Sequence, residues 1–169
     1  MLSLSSKVYA LVGFGFLLIA LGWWWHVETR SLAPPTDPSS SRATDELRQR
    51  LDPAVYDIIV EKGTERPFSS SLNDEKRPGT YVAADTGEPV FRSEQKFDSG
   101  TGWPSFSAPI SPDAIRLADD SGFLGKRTEV LSTAGGHLGH VFDDGPAPTG
   151  KRYCINGLAL RFIPDEPKP

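Results

Sequence analysis

A chain of 169 residues, 38% hydrophobic and 10% aromatic, can bury one globular core beside some non-globular sequence, which argues against two full domains. Its net charge of -4 offers no phosphate-neutralising patch, so nucleic acid is not expected as a partner. A single cysteine excludes an intramolecular disulfide and a cysteine-rich zinc site.

After a short tail of residues 1–7, Val8 to Trp25 form an unbroken run without a charged side chain, VYALVGFGFLLIALGWWW. At ~1.5 Å per residue a helix of this length spans roughly 27 Å, close to the ~30 Å hydrocarbon core of a bilayer. Trp23, Trp24 and Trp25 close the run where amphipathic rings settle among headgroups. A cleavable signal peptide is the competing reading, but three bulky rings stand where a signal peptidase needs small residues. The expectation is an uncleaved transmembrane anchor over residues 8–25. Lys7 and Arg30 flank it almost symmetrically, and the short leading tail favours an N-terminus in the cytoplasm. The expected location is a bacterial inner membrane, crossed once, with the domain on the periplasmic side.

Residues 26–43 are expected to be a linker, Pro/Ser-rich from Ser31 to Ala43. Thr44 offers an N-cap, with Asp45 and Glu46 suited to the positive end of the helix dipole. Leu47, Leu51, Val55, Ile58 and Ile59 recur at near-helical spacing; Pro53 must kink or split that helix, and Gly63 is expected to end it. Beyond it, turn residues recur every few positions. Short apolar stretches at Tyr81–Val82, Pro89–Phe91, Glu129–Leu131, His140–Phe142 and Gly157–Ile163 predict a mainly β, mostly antiparallel protein with short N-terminal helices. Leu158, Leu160 and Phe162 alternate with Ala159, Arg161 and Ile163, as in a strand with one buried face.

Chemistry concentrates at Arg152–Tyr153–Cys154–Ile155–Asn156. On a strand Arg152, Cys154 and Asn156 share a face. A guanidinium near the sulfur would lower the thiol pKa, and the amide would orient a substrate oxygen. On this pentapeptide alone, a buried thiol acting as a small hydrophobe is the commoner outcome. His137–Leu138–Gly139–His140 shifts the balance, because it presents two imidazoles and a turn-rich segment leads from it back to Cys154. A cysteine with histidine is a recurring activated nucleophile. A zinc pair is the rival, with one thiolate and no acidic residue at ligand spacing. Asp143 and Asp144 are read as turn formers, and Glu65 and Arg66 as a structural pair or a rim.

Four blocks together carry a resemblance: Gly63–Ser69 (GTERPFS), Lys96–Phe106 (KFDSGTGWPSF), His137–Pro146 (HLGHVFDDGP) and Pro148–Asn156 (PTGKRYCIN). In order and spacing the chain resembles the methionine sulfoxide reductase B family from about Leu47 to Pro164. That resemblance implies a domain over residues 44–165, followed by a tail at 166–169. The implied fold has two antiparallel sheets of the β-tent (Mss4-like) type. The implied activity is thiol-dependent reduction of methionine R-sulfoxide, protein-bound or free. Cys154 matches the nucleophile, which becomes a sulfenic acid. His137, His140 and Asn156 match groups that contact or protonate the sulfoxide oxygen. Trp103 matches the aromatic that packs on the substrate methyl, and Phe106 and Arg152 are placed at the substrate with it.

The chain also departs from the pattern. Many members carry two Cys-x-x-Cys pairs holding zinc; the matching positions here are Ala83, Thr86 and the Ser132–Gly136 stretch, so no metal or other cofactor is expected. Thr101 stands where some members carry a resolving cysteine. An external thiol reductant, such as a thioredoxin-like protein, a glutaredoxin or a small thiol, is therefore implied. Another cysteine–histidine enzyme, such as a hydrolase or peroxidase, or a non-catalytic binding module are the alternative readings.

Overall fold

The computed structural model describes residues 38–122 and 125–166. The expected anchor at 8–25, the tail 1–7 and most of the linker lie outside those residues. No helix among the described residues is long and apolar enough to cross a membrane.

Two short helices lead. The first, α1 (Pro38–Arg50), begins inside the expected linker, so Thr44 lies within the helix and is not its cap. Proline is tolerated in a first turn, and the Arg/Glu/Leu/Gln content beyond it is helix-compatible. The chain then breaks at Leu51–Asp52, as Pro53 requires. Asp52 caps α2 (Pro53–Ile59), its Oδ1 accepting from Ala54 N at 2.9 Å, with proline in the first turn. The helix stops before Gly63: Val60 is its C-cap and Lys62 takes the left-handed conformation at φ 58. Gly63 N then donates to Asp57 O, closing the turn.

Among the described residues nine strands follow, in two antiparallel sheets. The smaller sheet has the order β2 (Pro89–Arg92), β1 (Gly79–Ala83), β9 (Leu160–Pro164). The larger runs β3 (Lys96–Phe97), β4 (Ser105–Phe106), β8 (Arg152–Ile155), β7 (His137–Phe142), β6 (Gly125–Leu131), β5 (Arg116–Gly122). The expectation of two antiparallel sheets with short helices holds for the described residues.

Aromatic and β-branched residues make these strands because their side chains fit a pleated, half-buried surface. Tyr81 and Phe91 from the small sheet meet Phe106 from the large one, all fully buried. Phe91 stacks on Phe106 at 4.4 Å between centroids, and Tyr81 meets the same ring edge-on at 4.9 Å. Each such side chain contributes about 1.5–3 kcal/mol by leaving water. Ile58 and Ile59 of α2 join Val130, Leu138 and Ile155 in the same cluster.

The expected alternation at the C-terminus is interrupted. Gly157–Ala159 form a 3-10 turn, so Leu158 is exposed while Ala159 and Leu160 are buried. A three-residue turn rotates successive side chains by about a third of a revolution, which cancels the two-residue period of a strand.

Candidate active site around Cys154

Cys154 lies on β8 between two neighbours, opposite Ser105 of β4 and His140 of β7. Gly139, beside His140, permits this approach: a Cβ there would run into the Cys154 carbonyl oxygen. Glycine between the two histidines therefore brings the imidazole strand close to the thiol strand. The thiol opens onto a hollow of about 150 Å³ whose lining includes Trp103, Arg127, His140, Phe142 and Asn156. Larger hollows exist, but among the described residues this is the one that contains the sulfur.

The thiol does not ionise as easily as the neighbouring arginine suggested. Burial pushes the Cys154 pKa above its ordinary value; Thr101 and Arg152 pull it down, but the net direction is up. The Thr101 hydroxyl stands 3.9 Å from Sγ and continues into Ser99 at 2.8 Å, which bonds Ser105 at 2.7 Å. Arg152 is committed elsewhere, with Nε and NH2 on the Asp144 carboxyl at 2.9 and 2.8 Å and its guanidinium 4.5 Å over the Phe142 ring. Asp144 is thus an ion-pair partner as well as a turn residue, and Asp143 likewise takes Lys151 Nζ at 2.5 Å.

His137 and His140 each have their own carboxylate. His137 is buried, with Nδ1 2.7 Å from Glu129 Oε1, and Lys62 holds Oε2 at 2.8 Å. Burial pushes His137 down, against the pull of Glu129. Burial pushes Glu129 up, but Lys62 and His137 outweigh it and the net is down. The pair is therefore a neutral imidazole donating Nδ1–H to an ionised carboxylate. His140 is less enclosed; its Nε2 sits 2.8 Å from Asp120 Oδ2, which also takes Arg127 NH2 at 2.6 Å. These two hydrogen bonds, His140 first, hold Asp120 below the usual carboxylate range. The two imidazole centroids are 5.3 Å apart.

The expected residues do not all converge. Cys154, His140, Trp103 and Asn156 line one hollow. Asn156 reaches it from beyond the end of β8, and its amide is already engaged: Oδ1 accepts from Glu65 N and Nδ2 donates to Leu138 O, both at 3.1 Å. One Nδ2 hydrogen is left for a substrate oxygen. Trp103 is oriented by Nε1 donating to Glu65 O at 3.1 Å. Phe106 is not at the hollow: it is fully buried in the core, because its neighbour Ser105 takes the other face of a two-residue strand. Glu65, expected with Arg66 as a structural pair or a rim, is structural but without Arg66: it is buried and accepts from Gly157 N at 2.6 Å and Leu158 N at 3.0 Å. Sequence reasoning missed Asp120, Arg127, Glu129 and Phe142. The first two lie opposite one another in the β5–β6 pair, a relation that appears only once strand register is known.

No group of three or more metal-binding side chains occurs among the described residues. Comparison with known proteins places the chain among relatives of one kind. A SelR domain model matches residues 51–164. The peptide methionine sulfoxide reductase MsrB of Methanosarcina barkeri is 50% identical over 126 residues, covering 74% of this chain and 89% of that protein. The mitochondrial methionine-R-sulfoxide reductase B3 of Mus musculus is 52% identical over 120 residues, 70% of this chain and 47% of that protein. The MsrA/MsrB protein of Vibrio cholerae is 50% identical over 127 residues, 74% of this chain and 34% of that protein.

Proposed function

The chain belongs to the methionine sulfoxide reductase B (SelR domain) family, and on that premise we propose that its reduction of methionine R-sulfoxide in oxidised proteins runs through Cys154. The observation that carries this is a cysteine facing His140 across paired strands, in a hollow walled by Trp103. The Cys154 thiolate attacks the sulfoxide sulfur while His140, as the acid, protonates the oxygen, because oxide leaves only once its charge is neutralised. Collapse of the adduct gives methionine and a Cys154 sulfenic acid: the substrate sulfur gains two electrons and the cysteine sulfur loses two. An external thiol then attacks Sγ, water departs, and a second thiol frees Cys154 as a disulfide is released. With Thr101 beside the sulfur and one cysteine in the chain, both reducing equivalents come from outside, from a thioredoxin-like protein, a glutaredoxin or a small thiol.

Trp103 packs the substrate methyl and so selects one sulfur epimer. The remaining Asn156 hydrogen assists at the oxygen, and His137, kept neutral by burial with its Nδ1–H on Glu129, offers an acceptor Nε2 beside it. Arg152 acts from beside the thiol, through its charge. The two sheets are assigned to the β-tent (Mss4-like) arrangement.

We propose a zinc-free form. Around the positions where relatives would carry thiolates, Ser132 Oγ donates to Asp85 Oδ2, between Ala83 and Thr86, at 2.5 Å and accepts from Gly136 N at 3.0 Å, and Arg50 donates to the Asp85 carbonyl. One carboxyl group and a hydroxyl do not fit a tetrahedral zinc site. With separated epimers of a methionine sulfoxide peptide and a thiol reductant, R is reduced and S is not, and exhaustive chelation leaves both the rate and the Tm unchanged. Turnover of S at the rate of R would overturn the Trp103 assignment; a fall in Tm after chelation would overturn the zinc-free one.

Residues 8–25 are proposed to anchor the domain on the periplasmic face of an inner membrane. Membrane association of the full chain should resist carbonate washing and disappear on deletion of residues 8–25. Release of the intact chain by carbonate would refute the anchor.

A further inference from the structure

His140 can donate a proton usefully only if the correct ring nitrogen faces the substrate, and the β5–β6 pair supplies a reason why it does. Asp120 and Arg127 are direct partners across that pair, and β6 lies beside β7, which carries His140. We infer that Asp120, braced by Arg127, is a positioning residue: it holds the His140 Nε2–H and leaves Nδ1 as the nitrogen that serves the sulfoxide oxygen. The inference rests on His140 being the acid of the reaction proposed above.

A carboxylate is acceptor-only, so its 2.8 Å contact with Nε2 requires the hydrogen to sit on that nitrogen. In the imidazolium, Nδ1 carries the second proton. Its transfer to the sulfoxide oxygen leaves a neutral ring still donating Nε2–H to Asp120, and Asp120 itself gains no proton. This is the role a buried aspartate plays for the histidine of a serine-protease triad, here assembled from adjacent strands. The guanidinium NH2 on Asp120 at 2.6 Å restrains the carboxylate rotamer. Arg127 Nε is buried, finds no partner among the described residues, and belongs to a side chain lining the Cys154 hollow. The charged or titratable groups around His140 are Asp120 on β5, Arg127 and Glu129 on β6, His137 on β7, and Arg152 and Cys154 on β8. Of these, Glu129 is spent on His137 and Lys62, and Arg152 on Asp144. Asp120 is thus the carboxylate in contact with His140.

The side chains of Asp120 and Arg127 are 28% and 32% exposed, and a partly exposed pair of this kind contributes little to folding. Catalysis and stability therefore separate experimentally. In the full chain, with an R-sulfoxide peptide in single turnover, Asp120→Asn should slow methionine formation roughly tenfold or more, short of the ~10²–10⁴ of a lost general acid. The half-saturating peptide concentration should stay unchanged. Asp120→Glu should recover part of the rate. Nitrogen NMR of the imidazoles should show His140 passing from Nε2–H to mixed tautomers in Asp120→Asn. Wild-type rate and tautomer in that variant would overturn the inference; should it fail to fold, wild-type rate and tautomer in Asp120→Ser would do so. A wild-type protein without R-sulfoxide activity would sink the parent reading, while the tautomer measurement would still judge the positioning.

Discussion

Replacing Cys154 by serine should abolish methionine formation even in a single turnover, while leaving the fold intact. The two side chains differ by one atom, and the half-buried position opposite His140 accepts either. The chemistry does not. Oxygen transfer to sulfur ends in a sulfenic acid, whereas the same transfer to a serine oxygen would have to end in a peroxide, with a weak oxygen–oxygen bond. No rearrangement of the hollow compensates for that. In the unaltered protein, one equivalent of R-sulfoxide without reductant should leave Cys154 carrying one added oxygen by mass spectrometry. Detectable turnover in the serine variant would move the nucleophile elsewhere and refute the mechanism. The pH dependence follows from the same residue. Because burial raises the thiol pKa, the thiolate is present above the ordinary thiol range and is lost as pH falls through it. Iodoacetamide labelling of the free protein should accordingly be slow at mildly acidic pH and rise towards alkaline pH.

The largest effect on stability is expected from Glu65→Ala, at about 3 kcal/mol, since each buried donor left without its acceptor costs about 1–3 kcal/mol. The Glu65 carboxyl accepts from two consecutive backbone amides, Gly157 and Leu158, at the start of the turn that follows Asn156. The Glu65 backbone also reaches the site, its N–H donating to Asn156 Oδ1 and its carbonyl accepting from Trp103 Nε1. Truncation therefore loosens the segment that seats two residues of the hollow, and the rate should fall along with the stability. Urea denaturation with an unchanged m value checks the first part. A shift within about 0.5 kcal/mol, the range of an ordinary surface substitution, would deny Glu65 this structural role.

Legibility follows locality. The residues that line the hollow lie in contiguous blocks, so Cys154, His140, Trp103 and Asn156 are readable from the order of those blocks. The groups that set their behaviour are not. Asp120 and Glu129 reach the histidines through strand pairing, and no spacing along the chain encodes which rung faces which. Phe106 was misplaced because neighbours on a strand point to opposite sides, and Ser105 had taken the side of the cysteine. The face-sharing expected of Arg152, Cys154 and Asn156 ended with β8 at Ile155. Burial decided the direction of the thiol pKa against a visible arginine, and burial is a property of the packed molecule. At the N-terminus, local propensity placed a cap at Thr44, whereas the helix starts at Pro38.

A solitary sulfur in a recess of about 150 Å³ has to receive the oxidant and the electron donor one after the other. Steady-state traces should then follow double displacement, with parallel lines in reciprocal plots. Each reactant at high concentration should also obstruct the other by occupying the wrong form of the catalyst. With no second thiol to store an electron pair, throughput is tied to how often a donor arrives, and a starved enzyme idles in its oxidised form.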